Sequence, residues 1–174
     1  MIVNIVTIIF VFLLDQLSKL WVIKHFLPGE NKMVIKGLFK WTYVQNKGVA
    51  FGIFQNMIPV IVAVSIIAVI GIILYLHKKK EEHSNWARFG LLFIVGGALG
   101  NLYDRVFRGF VVDFFDFYGI WNAIFNVADI AINIGMILIV IEYFVEKENI
   151  RSNSAEKEEL NKSDLKENEE EKKL

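Results

Sequence analysis

Four stretches of the chain are apolar over a length close to a bilayer's hydrocarbon core. They are Ile2–Ile23, Met57–Leu76, Ala87–Val106 and Ile120–Phe144, each near the ~20 residues that cross ~30 Å as a helix. The pattern between the first two differs: Met33–Gln45 (MVIKGLFKWTYVQ) is rich in β-branched and aromatic residues around Gly37. That stretch predicts a short hairpin or small sheet at the membrane surface, with Trp41 and Tyr43 suited to the interface. The fold class expected is a membrane all-α protein: a four-helix transmembrane bundle with a small extracytoplasmic β-element after helix 1. Ile2–Ile23 lacks a preceding Lys or Arg and a following small-residue cleavage site, so it reads as a retained span. Neither an internal repeat nor inverted symmetry is visible, which argues against a transporter fold.

Polar residues inside the spans fall into faces. Asp15 and Lys19 stand at i, i+4, acid first, the favourable order for a helical ion pair. Gly97, Asn101 and Asp104 share a face in the third stretch, where Gly96, Gly97 and Gly100 permit close helix approach. In the fourth, Asn122, Asn126, Asp129 and Asn133 recur at i, i+4, i+7 and i+11, one helical face. Measured from the cytoplasmic side at ~1.5 Å per residue, Asp15, Asn101, Asp104 and Asp129 reach one level, roughly 20–26 Å up. Carboxylates at membrane depth are costly and mark function.

Composition supports the membrane reading: 174 residues are 55% hydrophobic, with mean hydropathy +0.44. Net charge is zero but divided. Residues 1–145, the expected membrane domain, hold 12 basic and 9 acidic residues; residues 146–174 hold 7 and 10. The latter, a run of Glu, Lys, Asn and Ser, predicts a disordered cytoplasmic tail. Lys78, Lys79, Lys80 and Arg88 between spans two and three, with Lys147 and Arg151 after span four, place both termini in the cytoplasm. Without cysteine there are no disulfides, thiol nucleophiles or Cys-based metal sites.

Candidates for chemistry are few. His25, His77 and His83 lie at span ends or in the cytoplasmic loop and read as interfacial. Ser18 and Lys19 are sequence neighbours and point to different helix faces, so they do not form a nucleophilic pair. No His and carboxylate cluster has metal-ligand character. Carboxylates remain. Two brought together share one proton; the ionised member activates water while the protonated one donates to the attacked carbonyl. Buried acids also serve proton or ion relays, and polar helix faces also bind partner helices, so a coupled carrier and a non-catalytic assembly factor stay open on the residues alone.

Five blocks carry a resemblance. They are Asp15-Gln16-Leu17-Ser18-Lys19, Asn46-Lys47-Gly48-Val49-Ala50-Phe51, the run from Gly96 to Arg105 (GGALGNLYDR), Val111-Val112-Asp113-Phe114, and Phe125-Asn126-Val127-Ala128-Asp129. In this order the chain resembles the lipoprotein signal peptidases (signal peptidase II) over residues 1–145. The resemblance implies an aspartic endopeptidase of the bacterial cytoplasmic membrane. It would remove signal peptides from prolipoproteins at the bond before a diacylglyceryl-modified cysteine, with its site toward the outer leaflet. It implies Asp113 and Asp129 as the catalytic pair. Asn46, Gly48, Asn101, Arg105 and Asn126 would line the site and orient substrate or dyad, with Asp15 and Lys19 as a supporting pair. Neither cofactor, metal nor nucleic acid is expected; the partners are lipidated precursors and membrane lipids, and the chain is expected to act as a monomer. Asp113 is expected on a lipid-surface link among Phe110, Phe114, Phe115 and Phe117, with Asp116 solvated just outside. Asp104 is expected to be an ion-pair or hydrogen-bond partner beside Arg105, which itself suits a lipid phosphate or a substrate carbonyl.

Overall fold

The computed structural model describes residues 2–48, 55, 57–78 and 84–171, with residues 152–171 as backbone only. Val49–Phe51 of the second block, and Lys79, Lys80 and His83, lie outside the described residues. Four helices, α1 (Ile2–His25), α2 (Ile58–Lys78), α3 (Asn85–Phe107) and α4 (Val127–Glu171), accompany strands β1 (Asn31–Ile35), β2 (Phe39–Asn46), β3 (Val111–Asp116) and β4 (Ile124–Phe125). Among the described residues three helices are long and apolar enough to cross a membrane: α1, α2 and α4 from Val127 to Arg151. The fold is mostly helical with one small antiparallel sheet.

The buried face of α1 is largely polar and its outer face apolar. On α1, Val11, Asp15, Gln16, Lys19 and Val22 are buried, whereas Leu13, Leu14, Leu17 and Leu20 are exposed. Such inversion suits a helix whose outer face meets lipid while its inner face finds polar partners. Central α3 packs against α1, α2 and α4. Its glycines admit the neighbours: a Cβ on Gly97 would stand 2.5 Å from the Ala128 carbonyl oxygen, and one on Gly100 would collide with the Asp15 carboxylate. By contrast α2 buries only Ile61, Val69 and Leu76.

The β-element is larger than the sequence pattern predicts. The hairpin β1–β2 is present, with Gly37 at φ +81° in its turn, but β2 also pairs with β3, giving the order β1-β2-β3-β4. Residues 111–116 are therefore not an open link. They form an interior strand, with Val112 and Phe114 packed on Val22, Phe26 and Tyr43. Tyr43 is accordingly buried, not interfacial. Asp116 is not solvated either: it accepts from Thr42 Oγ1 at 2.8 Å and pairs with Lys40 at 3.3 Å.

The last apolar stretch is not one helix from Ile120. Ile124–Phe125 pair with Asp116 and Phe115 as β4, and α4 starts only at Val127. At its far end α4 continues as helix to Glu171, where a disordered tail is expected from composition. Glu and Lys are good helix formers, and extension of an existing helix avoids the cost of nucleation.

Candidate active site

Asn126 precedes the first residue of α4. Its side-chain oxygen accepts the Asp129 N–H at 3.0 Å, and the Asp129 carboxylate accepts the Asn126 N–H at 3.2 Å. This is a reciprocal capping box with Asp in the third helical position. The expected single face of four polar residues thus dissolves. Asn126 is a cap, Asn122 is exposed in the loop before β4, and Asn133 donates back to the Asp129 carbonyl at 2.8 Å.

Asp113 arrives from β3, opposite Val44 on β2. Asn46 Nδ2 donates to one carboxylate oxygen at 2.9 Å and Asn126 Nδ2 to the other at 2.6 Å. Asn101, on α3, donates through Nδ2 to Asp129 at 2.8 Å and accepts from Asn126 at 3.2 Å. Asn126 therefore touches Asp113, Asp129 and Asn101 together. Burial, followed by the nearby Asp129 charge, pushes the Asp113 carboxyl up to about 7, against the opposing effect of the Asn46 and Asn126 hydrogen bonds.

Both carboxylates line a cavity of about 750 Å³. Asn46, Asn101 and Arg105 share its polar end; Trp121, Ile124, Phe125, Ile130, Ile134 and Ile137 form part of an apolar wall. Arg105 donates to the Gly48 carbonyl at 2.9 Å and the Asn101 carbonyl at 3.3 Å, while its Nε is buried without a partner. Two acids, a set of amide donors and a long apolar wall suit hydrolysis of a polar bond carried by an apolar ligand. Among the described residues no group of three or more His, Cys, Asp or Glu side chains converges to hold a metal ion.

A second polar layer lies against the first. Lys19, Asp15 and Asp104 are fully buried, with Lys19 Nζ at 2.8 Å from Asp15 and 3.0 Å from Asp104. The sequence expectation of an Asp15–Lys19 pair holds. Asp104 does not partner its neighbour Arg105; it pairs with Lys19 and with Arg108, one helical turn on. Gln16 joins the layer, donating to Asp15 at 3.0 Å, the Gly100 carbonyl at 3.1 Å and Asp104 at 3.2 Å, and accepting from Arg108 at 2.9 Å. Neither Gln16 nor Arg108 is among the residues singled out from the sequence. The i, i+4 spacing of Asp104 and Arg108 was a readable signal for one of them.

Known proteins share this arrangement's sequence and fold. Residues 7–145 match the family model described as Signal peptidase (SPase) II. A lipoprotein signal peptidase of Fusobacterium nucleatum subsp. nucleatum is 44% identical over 149 residues, covering 82% of this chain and 90% of that protein. Those of Streptococcus pneumoniae and Clostridioides difficile are 42% and 41% identical, covering 78% and 74% of this chain and 88% and 85% of theirs. A bacterial membrane enzyme solved by the in meso method superimposes with a TM-score of 0.77 at 32% identity, over 84% of this chain and 90% of that one. With its family model matched across the helices and sheet that build the cavity, the chain belongs to the signal peptidase II family.

Proposed function

We propose that this protein is a membrane aspartic endopeptidase that removes signal peptides from prolipoproteins, cutting before a diacylglyceryl-modified cysteine. The observation that carries the reading is the pair Asp113 and Asp129, tied through Asn126 at the polar end of a cavity with an apolar wall. Asp113, raised to about 7, holds the shared proton, which leaves the carboxylate on Asp129. A water between them gives its proton to Asp129 as its oxygen attacks the scissile carbonyl, and Asp113 donates its proton to the carbonyl oxygen. The tetrahedral intermediate then collapses. The C–N bond breaks, the departing amine takes the proton from Asp129, and the proton on the oxygen returns to Asp113 as the carboxylic acid forms.

The buried Arg105 Nε supplies a free donor for a main-chain carbonyl of the precursor. The apolar wall accommodates acyl chains. In this reading α3 is a fourth span, its polar residues turned inward. Both termini face the cytoplasm, and the cavity opens toward the outer leaflet of the cytoplasmic membrane. Residues 1–145 are the peptidase unit, and residues 146–174 are an appended cytoplasmic segment. One chain supplies the whole site, so it works as a monomer.

A gel-shift assay on one diacylglyceryl precursor and its unlipidated form tests the proposal. Cleavage of the lipidated form alone, lost in Asp113→Asn and in Asp129→Asn, is expected. Normal turnover by either variant, or equal cutting of both precursors, would contradict it.

A further inference from the structure

Lys19 is fully buried and is not among the residues lining the cavity. Its ammonium has three N–H donors, and three oxygens take them: Asp15 at 2.8 Å, Asp104 at 3.0 Å and Asn101 Oδ1 at 3.0 Å. Charge balance accounts for the two carboxylates, since Arg108 is the second cation of the group. It does not account for the third bond. The amide of Asn101 has one oxygen and one nitrogen; Lys19 and Asn126 both donate to the oxygen, so the nitrogen must face Asp129, to which it donates at 2.8 Å.

The two carboxylates held by Lys19 have a matching geometry. Asp15 accepts the peptide N–H of Ala128 at 2.9 Å, and Asp104 accepts that of Val112 at 3.0 Å. Ala128 directly precedes Asp129; Val112 directly precedes Asp113. Three bonds from one ammonium thus lead to the Asp129 carboxylate, through Asn101, and to the backbone directly ahead of both aspartates. Each step is a short contact between buried groups, where hydrogen bonds are strong and an unpaired group is costly.

We propose that Lys19 is a positioning residue for the peptidase reaction: it sets the orientation of the Asn101 amide toward Asp129 and, through Asp15 and Asp104, anchors the backbone ahead of both aspartates. The inference rests on Asp113 and Asp129 being the reacting pair. A lysine kept only to neutralise buried acids has a different signature, because removing one acid along with it would repair the defect.

The experiment compares Lys19→Met with Lys19→Met/Asp15→Asn in the full chain, using a diacylglyceryl precursor peptide. In the double variant Asp104 keeps Arg108, so thermal stability in detergent is expected to recover. Turnover is not: kcat stays about 100-fold below the parent, the scale of a misplaced reacting group. KM stays within about threefold, because the substrate wall is untouched. Parental kcat in either folded variant would overturn the proposal. Should neither variant fold, the parent chain decides by exchange of the Lys19 ammonium protons. Slow exchange supports an ammonium held on all three acceptors, and exchange at the rate of a free lysine refutes it. Loss of cleavage in Asp113→Asn and Asp129→Asn beside a fully active double variant would remove the role of Lys19 alone. Active Asp→Asn variants would remove the dyad itself.

Discussion

Asn126 and Asp113 meet at 2.6 Å, across thirteen residues of chain that form a strand, a loop and a second strand. The same amide caps α4 through its oxygen, which accepts the Asp129 N–H. A residue at a helix terminus therefore registers the sheet against the helix. The proposed dyad exists because β3 and the first turn of α4 are held together there.

Replacing Asn126 separates its two roles. Asn126→Ala removes the cap, which costs about 1 kcal/mol and lowers the melting temperature by roughly 2–4 °C in a chain of this size. It also removes the donor to Asp113, so cleavage should fall by about 100-fold. Asn126→Ser restores a capping oxygen without the amide donor to Asp113. Melting curves should regain part of the loss while precursor cleavage does not.

Cleavage should weaken as the solution becomes alkaline. The general acid acts only when protonated, and the Asp113 carboxyl sits at about 7. Above that value its protonated fraction falls tenfold per pH unit, and kcat/KM should fall with it. Rates on a lipidated peptide from pH 6 to 9 check this. A flat profile across that range would remove Asp113 from the role of proton donor.

The same shift has a stability consequence. Asp113 rises from an ordinary 3.8 to about 7 on folding, so between these values the folded chain binds more proton than the unfolded one. Stability then decreases as pH rises through the window, and the ionised carboxyl burdens the fold above it. Asp113→Asn, inactive, should melt higher than the parent at pH 8, by a few degrees (about 2–4 °C for each kcal/mol). The difference should shrink near pH 5. Equal melting temperatures at pH 8 would show that the buried charge carries no such penalty.

Contact between α3 and α4 sets where Asp129 stands. A Cβ at Gly97 would lie 2.5 Å from the Ala128 carbonyl oxygen and 2.9 Å from the Ile132 side chain. Overpacking of this kind typically destabilises by about 1–3 kcal/mol. Gly97→Ala should therefore lower both the melting temperature and cleavage, by at least about tenfold for the latter. On α2, a Cβ at Gly71 would meet nothing within 4 Å. Gly71→Ala should leave both measurements unchanged, which separates packing from a general effect of losing glycine.

Much of this site was legible because a carboxylate or amide in an apolar stretch has few acceptable environments. Asp15, Lys19, Asn101, Asp104 and Asp129 announce an inward polar face by that fact, and helical spacing gave the Asp15–Lys19 contact directly. Where the reading failed, a local pattern had been extended past its element. Asn122 and Asn126 fit a helical period with Asp129, yet the Asn126-x-x-Asp129 spacing is a cap that starts the helix instead of continuing it. Asp116 looked solvated because its partners, Thr42 and Lys40, lie more than seventy positions away.

By itself the sequence determined the materials. It specified apolar stretches of spanning length, acids and amides within them, and glycines where helices must touch, because periodicity and burial cost act over a few residues. Only the tertiary structure decided which acid meets which. Asp113 and Asp129 both meet Asn126 because β3 pairs with β2, a strand from between α1 and α2, and Asn126 begins the last helix beside it. Pairing between distant strands is a property of the closed chain, and no short window of residues contains it.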